Sequence, residues 1–199
     1  MKRILIISSL LIALAACRSS QPASQHFYLI EYDREWSAPW PEGLGTMAGT
    51  CEIASVWVAP AYASHQIAMR TASHQLRYFT FNEWAVRPEQ AMTQLSLDFF
   101  EAFPVFEQIV HGRLITPANY RLETEVHHLE LDTRQQGVGA RVHFVFSLYD
   151  MEDGKQLIHR HVADRTQELE KKNLNEFATA ISRLFQEELQ AFSIQSLQK

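Results

Sequence analysis

From Ala140 to Leu148 the chain alternates: Ala140, Val142, Phe144, Phe146 and Leu148 are apolar, and Arg141, His143, Val145 and Ser147 stand between them. Side chains on a strand repeat every two residues, so this period predicts a strand with one face buried. Tyr120 to Leu131 and Gln156 to Ala163 also read as strands, and the turns at 132–139 and 150–154 supply Asp and Gly. A meander of three antiparallel strands is the simplest path through them. In the first strand the apolar phase slips between Val126 and Leu129, which predicts a bulge near His127-His128.

Two stretches carry the helical period instead. Leu174, Phe177, Ala178, Ile181, Leu184, Phe185, Leu189 and Phe192 form one stripe and predict a helix from about residue 171 to 194. Met92, Leu95, Phe99 and Phe103 predict another, opened by Pro88 and Glu89 and stopped by Pro104. Between these, Phe27 to Tyr32 reads as a first strand. Glu52 to Val58 is apolar on both faces and fits an inner strand. Ile67–Arg70 and Leu76–Phe81 make a hairpin about 71–74, and Val105–Val110 returns to extended form. The sum is an α/β fold: a single domain over residues 27–199, with a mixed, mostly antiparallel sheet and two main helices packed on it.

Pro39, Pro41, Gly43, Gly45 and Gly49 break any pattern between 33 and 50, a stretch that also holds Trp36 and Trp40. Those two rings either cap the core edge or touch a membrane or partner. The run LRYFTFNEWAVRP, 76–88, concentrates aromatics again. Alternation sets Tyr78 opposite Phe79 and Phe81, so Phe81 and Trp84 are expected to pack, while Tyr78 either packs or, as a candidate interface residue, faces a partner.

The first residues change the picture. Lys2 and Arg3 precede an apolar run from Ile4 to Ala16, the charged and apolar regions of an export signal too short to span a bilayer. The run closes on Leu14-Ala15-Ala16-Cys17, which resembles the lipobox at which bacterial lipoproteins are cut and acylated. The expected organisation is therefore a signal peptide over 1–16 and a lipidated tether over 17–26, whose polar composition cannot order itself. With Cys17 acylated, the protein is anchored to a membrane without crossing it. Arg at position 18, where by resemblance Asp marks inner-membrane retention, implies the outer membrane.

The formal charge of −5 without a Lys/Arg cluster disfavours nucleic acid, since phosphate contacts need basic side chains. The composition, 46% hydrophobic, argues for a packed domain. Cys51 has no intramolecular partner once Cys17 is acylated and reads as a buried structural thiol. Chemistry is harder to find. His159 and His161 share a strand face, but two imidazoles without a third ligand at zinc spacing make no site. His127 and His128 are expected to point to opposite faces. No G-x-S-x-G elbow, dinucleotide loop or Walker lysine occurs. Glu123 and Glu125 alternate with apolar positions as on a solvated face. No catalytic, cofactor-binding or metal residue is expected.

The run from Val56 to Phe100 resembles the ABC-type transport auxiliary lipoproteins, the family of paraquat-inducible protein C. The resemblance rests on a strand ending near Pro60, the Met69-Arg70 step, the aromatic strand with Tyr78, Phe79 and Phe81, and Trp84-Ala85 ahead of Pro88. The lipobox, Phe27-Tyr28-Leu29 and the late helix match too. It implies a non-catalytic, periplasm-facing outer-membrane lipoprotein. The implied partners are an MCE-domain protein and ABC transporter subunits that move lipid or other hydrophobic compounds between membranes, with self-association left open. The alternative is a lipoprotein regulator of cell-wall synthesis or another envelope assembly.

Overall fold

A computed structural model describes residues 24–35, 40–112, 117–134, 137–152, 154–170 and 173–198. The expected signal segment, Cys17, most of the tether and Trp36 lie outside them. Among the described residues nine strands form one mixed sheet: β1 His26–Tyr28, β2 Met47–Ile53, β3 Trp57–Val58, β4 Gln66–Ala72, β5 Gln75–Trp84, β6 Phe106–Val110, β7 Tyr120–Asp132, β8 Gly139–Asp150 and β9 Gln156–Glu168. Two helices complete the described fold, α1 Pro88–Ala102 and α2 Leu174–Leu197.

Strand β7 organises the sheet. One edge runs antiparallel to β8, which in turn pairs with β9, giving the expected meander. The other edge receives β2, β3 and β4 one after another, all parallel, at Tyr120–Leu122, Glu125–Val126 and Glu130–Asp132. Outside this broken line, β6 pairs with β2, and β5 pairs with β4 before accepting the short β1. The longest ladders are the antiparallel ones of the meander. The β7–β8 register shifts between Val126 and His128, the predicted bulge.

Both helices pack on one face. Phe144 and Phe146 of β8 meet Phe185 at 5.2 and 5.6 Å between ring centroids, and Phe146 stacks on Phe192 at 5.7 Å. All four rings are fully buried, and each contributes on the order of 2–3 kcal/mol by leaving water. Helix α2 begins at Leu174 because the Asn173 side chain accepts from the Glu176 N–H at 2.7 Å, a cap that fixes the boundary the stripe alone left open. Helix α1 has Pro88 in its first turn and ends where Phe103 turns extended ahead of Pro104.

Three strand boundaries differ from the pattern. The first strand stops at Tyr28 because the chain then leaves the sheet and runs along α2. The Glu31 N–H donates to Ser182 Oγ at 3.2 Å and the Asp33 N–H to Gln186 Oε1 at 3.0 Å, while Gln186 Nε2 donates back to the Asp33 carbonyl. The expected strand 52–58 is two strands, because the Val56 N–H turns to Thr93 Oγ1 of α1 at 2.9 Å instead of a neighbouring strand. Strand β2 starts early, at Met47, through an irregular register in which Gly49 adopts φ +102°; a Cβ there would collide with the Asn119 amide.

Candidate interaction surface

Among the described residues, nothing covers much of the sheet face of β7, β8 and β9 that lies away from the helices, and register arranges its side chains in rows. Trp57, Glu125, Val145 and Val162 form one row, and His128, His143 and Asp164 the next. Tyr78, Ala68, Glu130, Arg141 and Thr166 form a third. Trp57, Val162 and Leu157 are exposed by 49%, 55% and 53%, large fractions for apolar side chains on a sheet.

Beside these lies a buried charge. Glu130 is fully buried, where an unpaired carboxylate would be expensive. Arg70 Nε donates to its Oε1 at 2.6 Å and Tyr62 Oη to its Oε2 at 2.5 Å; Arg141 Nη1 reaches Oε1 at 3.4 Å. Arg70 Nη2 also donates to Tyr62 Oη at 3.0 Å, which closes the triangle. Burial pushes the Glu130 carboxyl up, but the hydrogen bonds from Arg70 and Tyr62, with the charge of Arg70, outweigh it and hold the group below its ordinary value. The same burial, with Glu130 alongside, pushes the Tyr62 hydroxyl up to about 12. His128 is held below its ordinary value by burial and by nearby Arg141. The cluster thus consists of a carboxylate, the guanidiniums of Arg70 and Arg141, a neutral phenol and a neutral imidazole, and it ties the segment between β3 and β4 onto the sheet.

Tyr78 is 41% exposed, and its hydroxyl donates to the Ala61 carbonyl of that same segment at 3.1 Å. Trp40 is half-buried, stacked on Phe103 with centroids 4.9 Å apart. Trp84 is buried, its ring 5.8 Å from Phe177 of α2. Phe81, expected to pack, is instead 49% exposed. The β4–β5 register shifts by several residues between its Gln66 and Ala68 pairings, so simple alternation from Tyr78 does not carry through to Phe81.

The histidines divide between the faces. His159 stacks on Phe192 and His161 Nε2 meets Glu188 at 2.8 Å, so both face α2. The expectation of opposite faces for His127 and His128 fails: their rings lie 5.1 and 5.8 Å from His143, because the bulge adds the unpaired His127 to the face His128 already occupies. His127 Nε2 meets Glu125 at 2.9 Å, and its ring lies 5.4 Å from Trp57. Glu123 pairs with Lys155 at 2.7 Å and Arg121 at 3.1 Å. Among the described residues no three His, Cys, Asp or Glu side chains are grouped to hold a metal ion, and no helix is long and apolar enough to cross a membrane. Cys51 is fully buried, and burial pushes its thiol up to about 12.

Sequence reasoning overlooked Trp57, Tyr62 and Glu130. Trp57 was hidden in a run apolar on both faces. The signal for Glu130 was its setting: a lone carboxylate between Leu129 and Leu131 on a strand whose partner offers Arg141.

A family model for the ABC-type transport auxiliary lipoprotein component matches residues 33–191, the whole sheet beyond β1 and most of α2. The chain belongs to this family. It is therefore an auxiliary lipoprotein of an ABC-type transport system. No curated protein sequence matches it. Among solved structures, protein XCC0632 from Xanthomonas campestris shares the fold at TM-score 0.69, with 14% identity over 86% of this chain and 91% of that one. An uncharacterised protein follows at TM-score 0.64, again 14% identical, over 86% of this chain and 98% of its own. At such identities the likeness is one of fold alone, and the auxiliary lipoprotein's surface must be read from its own side chains.

Proposed function

We propose that this auxiliary lipoprotein is a non-catalytic subunit anchored to the outer membrane through acylated Cys17 and facing the periplasm. There it works beside an MCE-domain protein and the ABC transporter subunits of a system that moves lipid or another hydrophobic compound between the two membranes, which contributes to envelope integrity. The observation that carries this reading is the family match over residues 33–191. The open face supports it: Trp57, Leu157 and Val162 offer apolar area on a sheet surface to which the Glu130 cluster ties the β3–β4 segment, which suits a protein partner better than a small substrate. Tyr78 belongs to this contact. Trp36 and Trp40 are proposed as further partner contacts.

Mild crosslinking of intact cells, followed by purification from solubilised envelope, tests the reading. The expected result is recovery of an MCE-domain protein or ABC subunits. Recovery of cell-wall synthases instead overturns it in favour of a regulator of envelope assembly. The anchor has its own test: Cys17→Ser is expected to lose both acylation and processing, and a variant that still partitions with membranes while running at the processed size contradicts acylation at Cys17.

A further inference from the structure

The eight large apolar residues exposed among the described residues fall into two groups. Trp57, Tyr78, Leu157 and Val162 belong to the open-face surface. The other four, Phe27, Leu29, Phe81 and Val86, gather at the opposite border of the sheet, exposed by 59%, 48%, 49% and 38%. Strand pairing brings them together. Phe27 pairs with Glu83, two residues on from Phe81, and the Ala85 N–H donates to the Tyr28 carbonyl at 2.8 Å, which sets Leu29 beside Ala85 and Val86. The residues between them are already committed: Trp84 and Ile30 are buried in the core, and Tyr28 packs against it. This corner thus carries apolar side chains on both sides, those of the outer one grouped around Glu83, and within the described fold nothing covers them. Single exposed apolar residues are ordinary, but a contiguous group marks a contact.

The chain itself indicates the occupant. The corner is where the domain receives its N-terminal segment, since His26 is the first strand residue. Cys17 stands ten residues before Phe27, so a fully extended chain separates them by about 35 Å at most. Acyl chains on Cys17 would lie in the bilayer, and the patch is then tethered within that reach of it, where even weak apolar contact is favoured by high local concentration. The chemistry fits an interface. Aromatic and aliphatic tips protrude, the Glu83 carboxylate is occupied by Gln25 Nε2 at 3.0 Å, and Arg87, exposed next to Val86, can meet headgroup phosphate. We propose that Phe27, Leu29, Phe81 and Val86 seat this corner of the domain in the bilayer interface that holds the Cys17 anchor. That contact turns the remaining exposed face away from the lipid and toward its partners. The proposal rests on the reading of Cys17 as the acylated residue.

Full-length processed protein, reconstituted in vesicles of phosphatidylethanolamine and phosphatidylglycerol, provides the test. Single spin labels are placed at Phe27→Cys, Phe81→Cys and, as the distant apolar control, Val162→Cys; Cys51 is buried and does not compete. All three positions are exposed, and circular dichroism confirms that each variant is folded, with Leu29→Cys as a substitute for either corner site. The expected result is that oxygen, enriched in lipid, relaxes the labels at 27 and 81 more than a water-soluble nickel chelate does, with the order reversed at 162. Vesicle-bound protein with all labels aqueous overturns the docking and leaves the anchor standing. Protein that fails to float with vesicles overturns both. Dipolar broadening between labels at 27 or 81 on separate molecules assigns the corner to a second copy, which also overturns it.

Discussion

The Tyr62 hydroxyl donates to Glu130 Oε2 at 2.5 Å while accepting from Arg70, so one phenol from the β3–β4 connection satisfies both members of a buried ion pair. Removing the carboxylate strands the guanidinium, and Glu130→Ala is expected to cost about 3–5 kcal/mol. Tyr62→Phe, which removes one hydroxyl, is expected to cost about 1–2 kcal/mol. Glu130→Leu combined with Arg70→Met should recover most of the loss, because it removes the charge along with its partner. Urea unfolding of the four proteins checks the order; equal effects for Tyr62→Phe and Glu130→Ala would contradict it.

Acid sensitivity follows from the same groups. Glu130 is held below its ordinary value as described, Glu188 by the hydrogen bond from His161, and Asp132 by that from Arg134. Carboxyls with lowered pKa stabilise the fold above their unfolded value, about 4–4.5, and lose that contribution as pH falls through the folded value. His128, also lowered, acts earlier: below about pH 6.5 the unfolded chain takes up a proton that the folded state resists, so stability falls from there downward. The urea midpoint is expected to decline gently below about pH 6.5 and steeply below about 4.5. His128→Gln should flatten the upper limb and leave the lower one in place.

Trp84 and Phe81 stand three residues apart on β5 with opposite fates. Trp84→Ala empties a buried site against Phe177 and is expected to cost about 3–5 kcal/mol. Phe81→Ala, at a half-exposed position, should shift stability by no more than about 0.5 kcal/mol. Thermal melts distinguish the two directly, and a comparable loss for Phe81→Ala would place that ring inside the core.

Much of this was legible in the sequence wherever one periodicity ruled a whole element. The alternation from Ala140 to Leu148 and the stripe from Leu174 to Phe192 each face a single partner surface, so period and burial agree, and the slip before Leu129 located the bulge. The pattern became illegible where side chains took over from strand neighbours. Ser182 and Gln186, some 150 residues away in sequence, draw Glu31 and Asp33 off the sheet, and Thr93 ends β2. The Glu130 cluster was hidden for the same reason. Its members, Tyr62, Arg70, His128, Glu130 and Arg141, come from the β3–β4 connection, β4, β7 and β8, and they meet through the parallel pairing of β4 with β7 and the antiparallel pairing of β7 with β8.

On this proposal the auxiliary lipoprotein acts by holding a partner subunit on its open face. A photo-crosslinking amino acid placed in living cells at Trp57 or Val162, with Arg183 on the exposed side of α2 as control, measures it directly. Adducts with an MCE-domain protein or ABC subunit are expected from positions 57 and 162 and none from 183. Adducts from 183 alone, or from 57 and 162 with proteins unrelated to transport, would contradict it.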